Sequence, residues 1–255
     1  MKLGTLGQAA LGLAIFFSAT PLSRAGSFSV DPVRVTLSPG HAVAAITVRN
    51  DGSDASVIQL ETSRWTQQDG KDVLTASPEI LATPPIFTLQ PGGSQIVRVG
   101  LRRAPDAQHE LTYRLILREV PPPQPIAQGL RVALAISMPV FVVSGQPSFS
   151  NLQWQALRLA DGRIQLQATN TGNAHVQVGS IELSPAGSSA PAVSESVATY
   201  ILPGNTRSWT FKNAIAVSVG SILGLHASTD GGDLQARVTL GNADAHGAPA
   251  AVSPP

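Results

Sequence analysis

From Phe28 onward, apolar residues recur at every second position, and each such run is cut short by a turn pair rich in Pro, Gly, Asn or Asp. A period of two sets successive side chains on opposite faces of a strand, and no stretch holds the 3.6-residue period of a helix. The runs cover 29–37 (closed by Ser38-Pro39-Gly40), 42–50 (AVAAITVRN, closed by Asp51-Gly52) and 56–65 (closed by Gln68-Asp69-Gly70-Lys71). They continue over 86–89, between Pro84-Pro85 and Pro91-Gly92-Gly93, and over 95–101, 111–120 and 130–143. Past Ser144-Gly145-Gln146-Pro147 the pattern starts afresh, with 152–159 and 163–169 flanking Asp161-Gly162, then 175–183, 197–202, 208–211 and 234–240. Many short strands separated by turn signals predict an all-β chain of two immunoglobulin-like β-sandwich domains, 26–144 and a smaller 147–241. Asn50-Asp51-Gly52 and Asn170-Thr171-Gly172 stand at corresponding strand ends of the two halves.

The ends of the chain are of another kind. Lys2, the apolar LGLAIFF at 11–17 and Ser23-Arg24-Ala25 have the order of an export signal with its cleavage site, so 1–25 is expected to be a signal peptide. Thr20-Pro21 ends the apolar run well short of the roughly 20 residues a membrane span needs, and no membrane insertion is expected after cleavage. Residues 242–255, rich in Ala, Pro and Gly without periodicity, are expected to be a disordered tail. The chain has no cysteine, so an exported protein of this sequence must hold its fold by packing alone. The formal net charge is +1, and the basic residues are scattered singly. That excludes nucleic acid, which requires a basic stripe to replace counterions.

Catalytic signals are missing. His41, His109, His175, His226 and His246 never fall at metal-ligand spacing. There is no Gly-x-Ser-x-Gly elbow, phosphate loop or dinucleotide fingerprint. The acidic residues Asp51, Asp69, Asp161 and Asp230 fall in turns, where solvated carboxylates are common. The expectation is a protein without enzyme activity, metal or cofactor.

The row at 130–138 stands out. Leu130, Val132, Leu134, Ile136 and Met138 share one face, opposite Arg131, Ala133, Ala135 and Ser137. Apart from Arg131 it has no charged gatekeeper, so it reads as a strand built to be paired. Its bland alternative is that the row faces this protein's own core.

Around that row stands an ordered series: Ala82-Thr83-Pro84-Pro85, Leu89-Gln90-Pro91-Gly92, Val97-Arg98-Val99, and Tyr113-Arg114-Leu115-Ile116-Leu117-Arg118-Glu119-Val120-Pro121-Pro122. The series resembles the PapD-like periplasmic pilus chaperones, whose first domain carries A-T-P-P, L-x-P-G, an arginine-bearing strand and F-x-x-x-L-R-E-I/V-P-P in this order. The resemblance covers 28–143 well and the second domain only in general character. It implies two sandwich domains set at an angle, residence in the periplasm, and no use of ATP. The partners it implies are pilin subunits, captured by strand addition, and an outer-membrane usher. The donor residues would be Leu130, Val132, Leu134, Ile136 and Met138, and self-association could cap their exposed edge.

In the family, two cations anchor the subunit's C-terminal carboxylate. Arg34 matches the first. The second, a lysine, falls on Pro139, which carries no charge, so Arg114 on the preceding strand is the substitute. A second departure concerns the bridge between domains: Glu110 matches its acidic member, but Val143 stands where arginine is expected. The Met138-Pro139-Val140-Phe141-Val142 ending resembles the archaic or sigma-type branch. Rival readings are an exported adhesion or carbohydrate-binding protein of two β-sandwiches, which would require an exposed aromatic platform, and a hydrolase, for which no feature argues.

Overall fold

The computed structural model describes residues 28–121, 132–188, 191–212 and 217–243. The expected signal peptide at 1–25 lies outside this range, as do Leu130 and, apart from residues 242–243, the expected tail. Every regular element among the described residues is a strand. In the first domain β1 (Phe28–Asp31), β3 (Val43–Asn50), β8 (Ser94–Leu101) and β6 (Ile80–Thr83) form one sheet in that order. The second sheet runs β2 (Val35–Leu37), β10 (Ala135–Val142), β9 (Leu111–Val120), β4 (Ser56–Gln68), β5 (Lys71–Ala76), with β7 (Ile86–Leu89) also pairing β4. Alternate residues of both sheets, including Ile46, Val48, Ile58, Val97, Leu115 and Leu117, close a single core.

The run 29–37, expected as one strand, is two. Pro32 has a fixed φ and no amide hydrogen, and the chain bends over Pro32–Arg34. It leaves β3, which pairs with β1, and enters the opposite sheet, where β2 pairs with β10 in parallel. The expected strand at 130–143 is shorter, because its ladder with β9 runs only from Ala135↔Arg118 to Val142↔Leu111. Strands β5 and β6 carry too little alternation to be legible beforehand.

The second domain hydrogen-bonds seven strands in the order β14 (Val193–Ile201), β13 (Val176–Pro185), β16 (Ile222–Thr229), β17 (Gly232–Asn242), β11 (Leu152–Arg158), β12 (Ile164–Asn170), β15 (Thr206–Phe211). Its own core gathers Ile164, Leu166, Ile181, Leu183, Phe211 and Leu223. The sequence pattern had not marked β16. Its ILGLHAST interrupts an apolar run with Gly224 and His226.

The two asparagines at corresponding strand ends turn out to do the same work. Asn50 and Asn170 are fully buried. Asn50 Nδ2 donates to the carbonyls of Asp54 (2.7 Å) and Leu89 (3.1 Å), and its Oδ1 accepts from Gly52 N (2.9 Å). Asn170 Nδ2 donates to the carbonyls of Ala174 (2.8 Å) and Ile201 (3.1 Å), and its Oδ1 accepts from Gly172 N (3.0 Å) and Asn151 N (3.2 Å). The main chain of each asparagine bonds a Pro-Gly turn from across its domain, through Gly92 and Gly93 for Asn50 and through Gly204 and Asn205 for Asn170. Gly92 and Gly204 take φ of 69° and 72°, the left-handed conformation these turns require. One corner device is thus built twice.

Candidate functional site

Strand β10 is the element on which the site is laid out. Glu119 N donates to the Leu134 carbonyl and Val143 N to the Leu37 carbonyl, each at 2.9 Å. Along this strand, therefore, even-numbered residues turn their main-chain groups toward β9 and odd-numbered ones toward the β2 side. But β2 meets β10 only from Val140 to Val142. The N–H and C=O groups of Ala135 and Ser137 thus form a bare edge, with no strand beside them among the described residues. Pro139 lies at an odd position, so its missing N–H falls on this outer edge and breaks no bond to β9.

The side chains divide in the same way. Val132 is 47% exposed, and Leu134 and Ile136 lie partly buried against the rim of the first domain's core. Met138, on the same face, is 1% exposed, its side chain committed to that core. The row is pinned at Leu134 by Glu119, whose Oε2 accepts from Leu134 N (3.2 Å) and whose Oε1 accepts from Ser56 Oγ (3.1 Å). The sequence offered Glu119 as part of a motif without saying what it holds.

The opposite face of β10 enters the seam between the domains. Phe141 packs with Trp65 and with Leu202 and Tyr200 of the second domain. Its ring also stacks on His175, with centroids 3.4 Å apart and planes 5° from parallel. His175 Nδ1 lies 2.7 Å from Glu110 Oε1, which also accepts from the His175 main-chain N–H at 3.2 Å. Glu110, lacking an arginine at Val143, finds its partner in this histidine. Gln67 adds two main-chain bonds, Nε2 to the Tyr200 carbonyl (2.9 Å) and Leu202 N to Oε1 (3.1 Å). Arg207 reaches back from the second domain to the Gly70 carbonyl and Asp72.

Both candidate cations border this seam. Arg34 immediately precedes Val35, the residue paired with Val140. Its Nη1 is 2.9 Å from Asp230 Oδ2 of the second domain. Arg114 lies directly across from Pro139 on β9, and opposed residues of an antiparallel pair share a face. Arg114 thereby brings a charge beside the position where Pro139 has none. Its guanidinium carbon sits 3.8 Å from the Trp65 ring centroid and 5.8 Å from that of Tyr200. A cation over aromatic faces gains about 0.5–2 kcal/mol according to its desolvation. Burial lowers the Arg114 pKa, with the Asp72 carboxylate opposing that shift. Burial raises the Tyr200 phenol, while Arg34 and Arg114 both pull it down and Asp230 pushes it up. Tyr200 thus feels both cations. Tyr200 and Asp230 belong to the second domain, where the motif series gave no foothold.

No group of His, Cys, Asp and Glu among the described residues could hold a metal ion. The aromatic platform required by the carbohydrate-binding rival is also missing there. Trp65 is 1% exposed, and Trp154 and Trp209 stack on each other at 6.0 Å while packing against the second core.

Residues 27–146 match the family described as Pili and flagellar-assembly chaperone, PapD N-terminal domain. Over 117 residues the chain is 25% identical to Chaperone protein PapD of Escherichia coli, a match covering 44% of this chain and 47% of that protein. Over 124 residues it is 27% identical to Chaperone protein FimB/FhaD of Bordetella pertussis, covering 46% and 49% respectively. The chain thus spans about half the length of the curated relatives it matches. Similarity of fold extends further. A chain of the CsuC-CsuE chaperone-tip adhesion subunit pre-assembly complex, from archaic Csu pili of Acinetobacter baumannii, superposes with a TM-score of 0.63 at 19% identity, over 84% of this chain and 99% of that one. The Escherichia coli chaperone DraB does so with a TM-score of 0.57 at 19% identity, over 85% and 100%.

Proposed function

We propose that this chain, whose residues 27–146 match the PapD N-terminal domain family of pili and flagellar-assembly chaperones, is a periplasmic chaperone that binds an incomplete pilus subunit by lending it β10 and delivers it to an outer-membrane usher. The observation that carries the reading is the bare edge of β10 at Ala135 and Ser137, flanked by Val132, Leu134 and Ile136 and running directly to Arg34. A strand added along that edge gains main-chain hydrogen bonds, while the three aliphatics fill an open groove in the subunit. Full burial of one such side chain contributes about 1.5–3 kcal/mol; Leu134 and Ile136, already partly covered, add less than that, and Val132 has most to gain. Leu130 would extend the row at its open end, whereas Met138 closes it inside the chaperone's own core.

Direction follows from β2. It runs parallel to β10 and begins just after Arg34, so a subunit strand parallel to β10 ends with its carboxylate at that guanidinium. An antiparallel strand would bring its amino end there instead. Arg34 and Arg114, both turned to the seam, make up the anchor, and an arginine's fork can grip a carboxylate through two bonds. The Met138–Val142 ending, which resembles that of the archaic or sigma-type branch, supports placing the chain there. Binding rather than catalysis is the activity of such a site.

The test is co-expression with a candidate pilin subunit in the periplasm. The subunit should accumulate in soluble form with this protein and be degraded or aggregate without it. Val132→Asp should abolish that protection, and Arg34→Ala should abolish recovery of the complex. A subunit equally soluble without the protein would refute the chaperone reading; one still protected by Val132→Asp would refute the donor row.

A further inference from the structure

Asp230 sits where an incoming carboxylate would have to go. It lies in the turn between β16 and β17, and both of its carboxylate oxygens are engaged. Oδ1 accepts from Gln177 N at 2.9 Å, and Asp230 N donates to the Gln177 carbonyl at 3.0 Å. Those two bonds fix the residue to the second domain. Oδ2 reaches across the seam to Arg34 Nη1 at 2.9 Å. The same oxygen is 3.8 Å from His175 Nε2, whose other ring nitrogen faces Glu110. The contact to Arg34 is made through one guanidinium nitrogen, and the arginine remains 41% exposed. Asp230 is thus the carboxylate paired with Arg34, while the carboxylate whose charge acts on Arg114 is that of Asp72.

We propose that Asp230 is a resident carboxylate that holds Arg34 in the free protein and competes with the terminal carboxylate of the bound strand for it. The inference rests on Arg34 being the anchor. Two carboxylates on one guanidinium repel each other, so the arriving one displaces Asp230, which stays tied to Gln177 N with His175 beside it. The pair therefore sets a threshold: a chain end lacking a free carboxylate does not release Arg34 from the second domain. Asp230 also joins the domains directly, so exchange of its partner couples occupancy of the cleft to the hold between them.

The experiment uses the full chain with arginine side chains labelled for NMR. The probes are an acetylated hexapeptide of alternating valine and threonine with a free C-terminus, and the same peptide as its amide. The Arg34 Nε–Hε signal reports occupancy, and calorimetry reports affinity. Asp230→Asn, which keeps an acceptor for Gln177 N, should bind the acid roughly three- to tenfold more tightly than the wild type, as expected for removing a partly exposed competitor. It should leave affinity for the amide unchanged. Asp230→Ser serves as the second variant and should behave in the same way. Equal or weaker binding of the acid by both variants overturns the inference. The wild type should bind the acid more tightly than the amide, and Arg34→Ala should lose that preference; if Arg34→Ala keeps it, or the wild type never shows it, the anchor proposed above falls, and this inference with it.

Discussion

Asn50 and Asn170 show how much of this fold hangs on single side chains. Each is a polar residue with no exposure, tolerated because its amide is saturated by main-chain groups that would otherwise be orphaned in the interior. The Asn170 amide binds two carbonyls and two N–H groups; that of Asn50 binds two and one, with Asp54 on an exposed loop that water can reach. An unsatisfied buried group costs about 1–3 kcal/mol. Asn170→Ala is therefore expected to destabilise the second domain by at least about 3 kcal/mol, and Asn50→Ala to cost the first domain less. Urea unfolding of the two variants checks both the size and the order. The corner also explains Gly172, where an added Cβ would lie 2.3 Å from the Phe149 carbonyl oxygen and 2.8 Å from Ser150 Cα. The loop after Asn170 folds onto the connecting segment that closely. It is pinned there by Asn173 and Ala174 N–H bonds to the Phe149 carbonyl.

Strand β10 faces three ways. Its even side chains fill the first core, Phe141 enters the seam, and its outer main-chain edge stands free until β2 joins at Val140. This division makes a prediction for hydrogen exchange. The amides of Ile136 and Met138, turned to β9, should be strongly protected, while those of Ala135 and Ser137 should exchange at near-solvent rates. Binding of a subunit strand should then protect Ala135 and Ser137 and leave the even positions as they were. Equal protection of odd and even amides in the free protein would contradict the bare edge. Pro139 limits the ladder from the other end, since its nitrogen offers nothing to an added strand.

At the scale of the whole molecule, the seam binds two sandwiches through a small aromatic cluster framed by polar ties. Gln67 is the most economical of these, its 6%-exposed amide joined to both the carbonyl of Tyr200 and the N–H of Leu202. The Tyr200 carbonyl has a second donor in Arg207 Nε at 3.2 Å, so Gln67→Ala orphans chiefly Leu202 N. That variant is expected to loosen the domains while leaving each core intact. Small-angle scattering should show a wider distribution of interdomain distances with unchanged far-ultraviolet circular dichroism; an unchanged scattering profile would contradict the role given to Gln67. Glu110 and His175, 65 positions apart, illustrate why such ties escape sequence reading. Nothing in local spacing pairs them, and a motif with arginine expected at Val143 points to the wrong residue.

What the sequence determined by itself was periodicity and punctuation. A period of two broken by Pro-Gly and Asx turns is a local property, so it specified strands, two sandwiches and the apolar row that leads into β10, and the ordered series from Ala82 to Pro122 carried the resemblance to the PapD-like chaperones. The bend at Pro32 was equally local, yet its consequence, a change of sheet, depends on which strands lie on either side. Which part of the row is buried in the first domain's own core, as Met138 is, and which stands at a free edge was settled by packing and strand pairing. The tertiary structure alone brought Asp230 to Arg34 and His175 to Glu110, because those contacts depend on the packing of one domain against the other and leave no periodic trace in the chain.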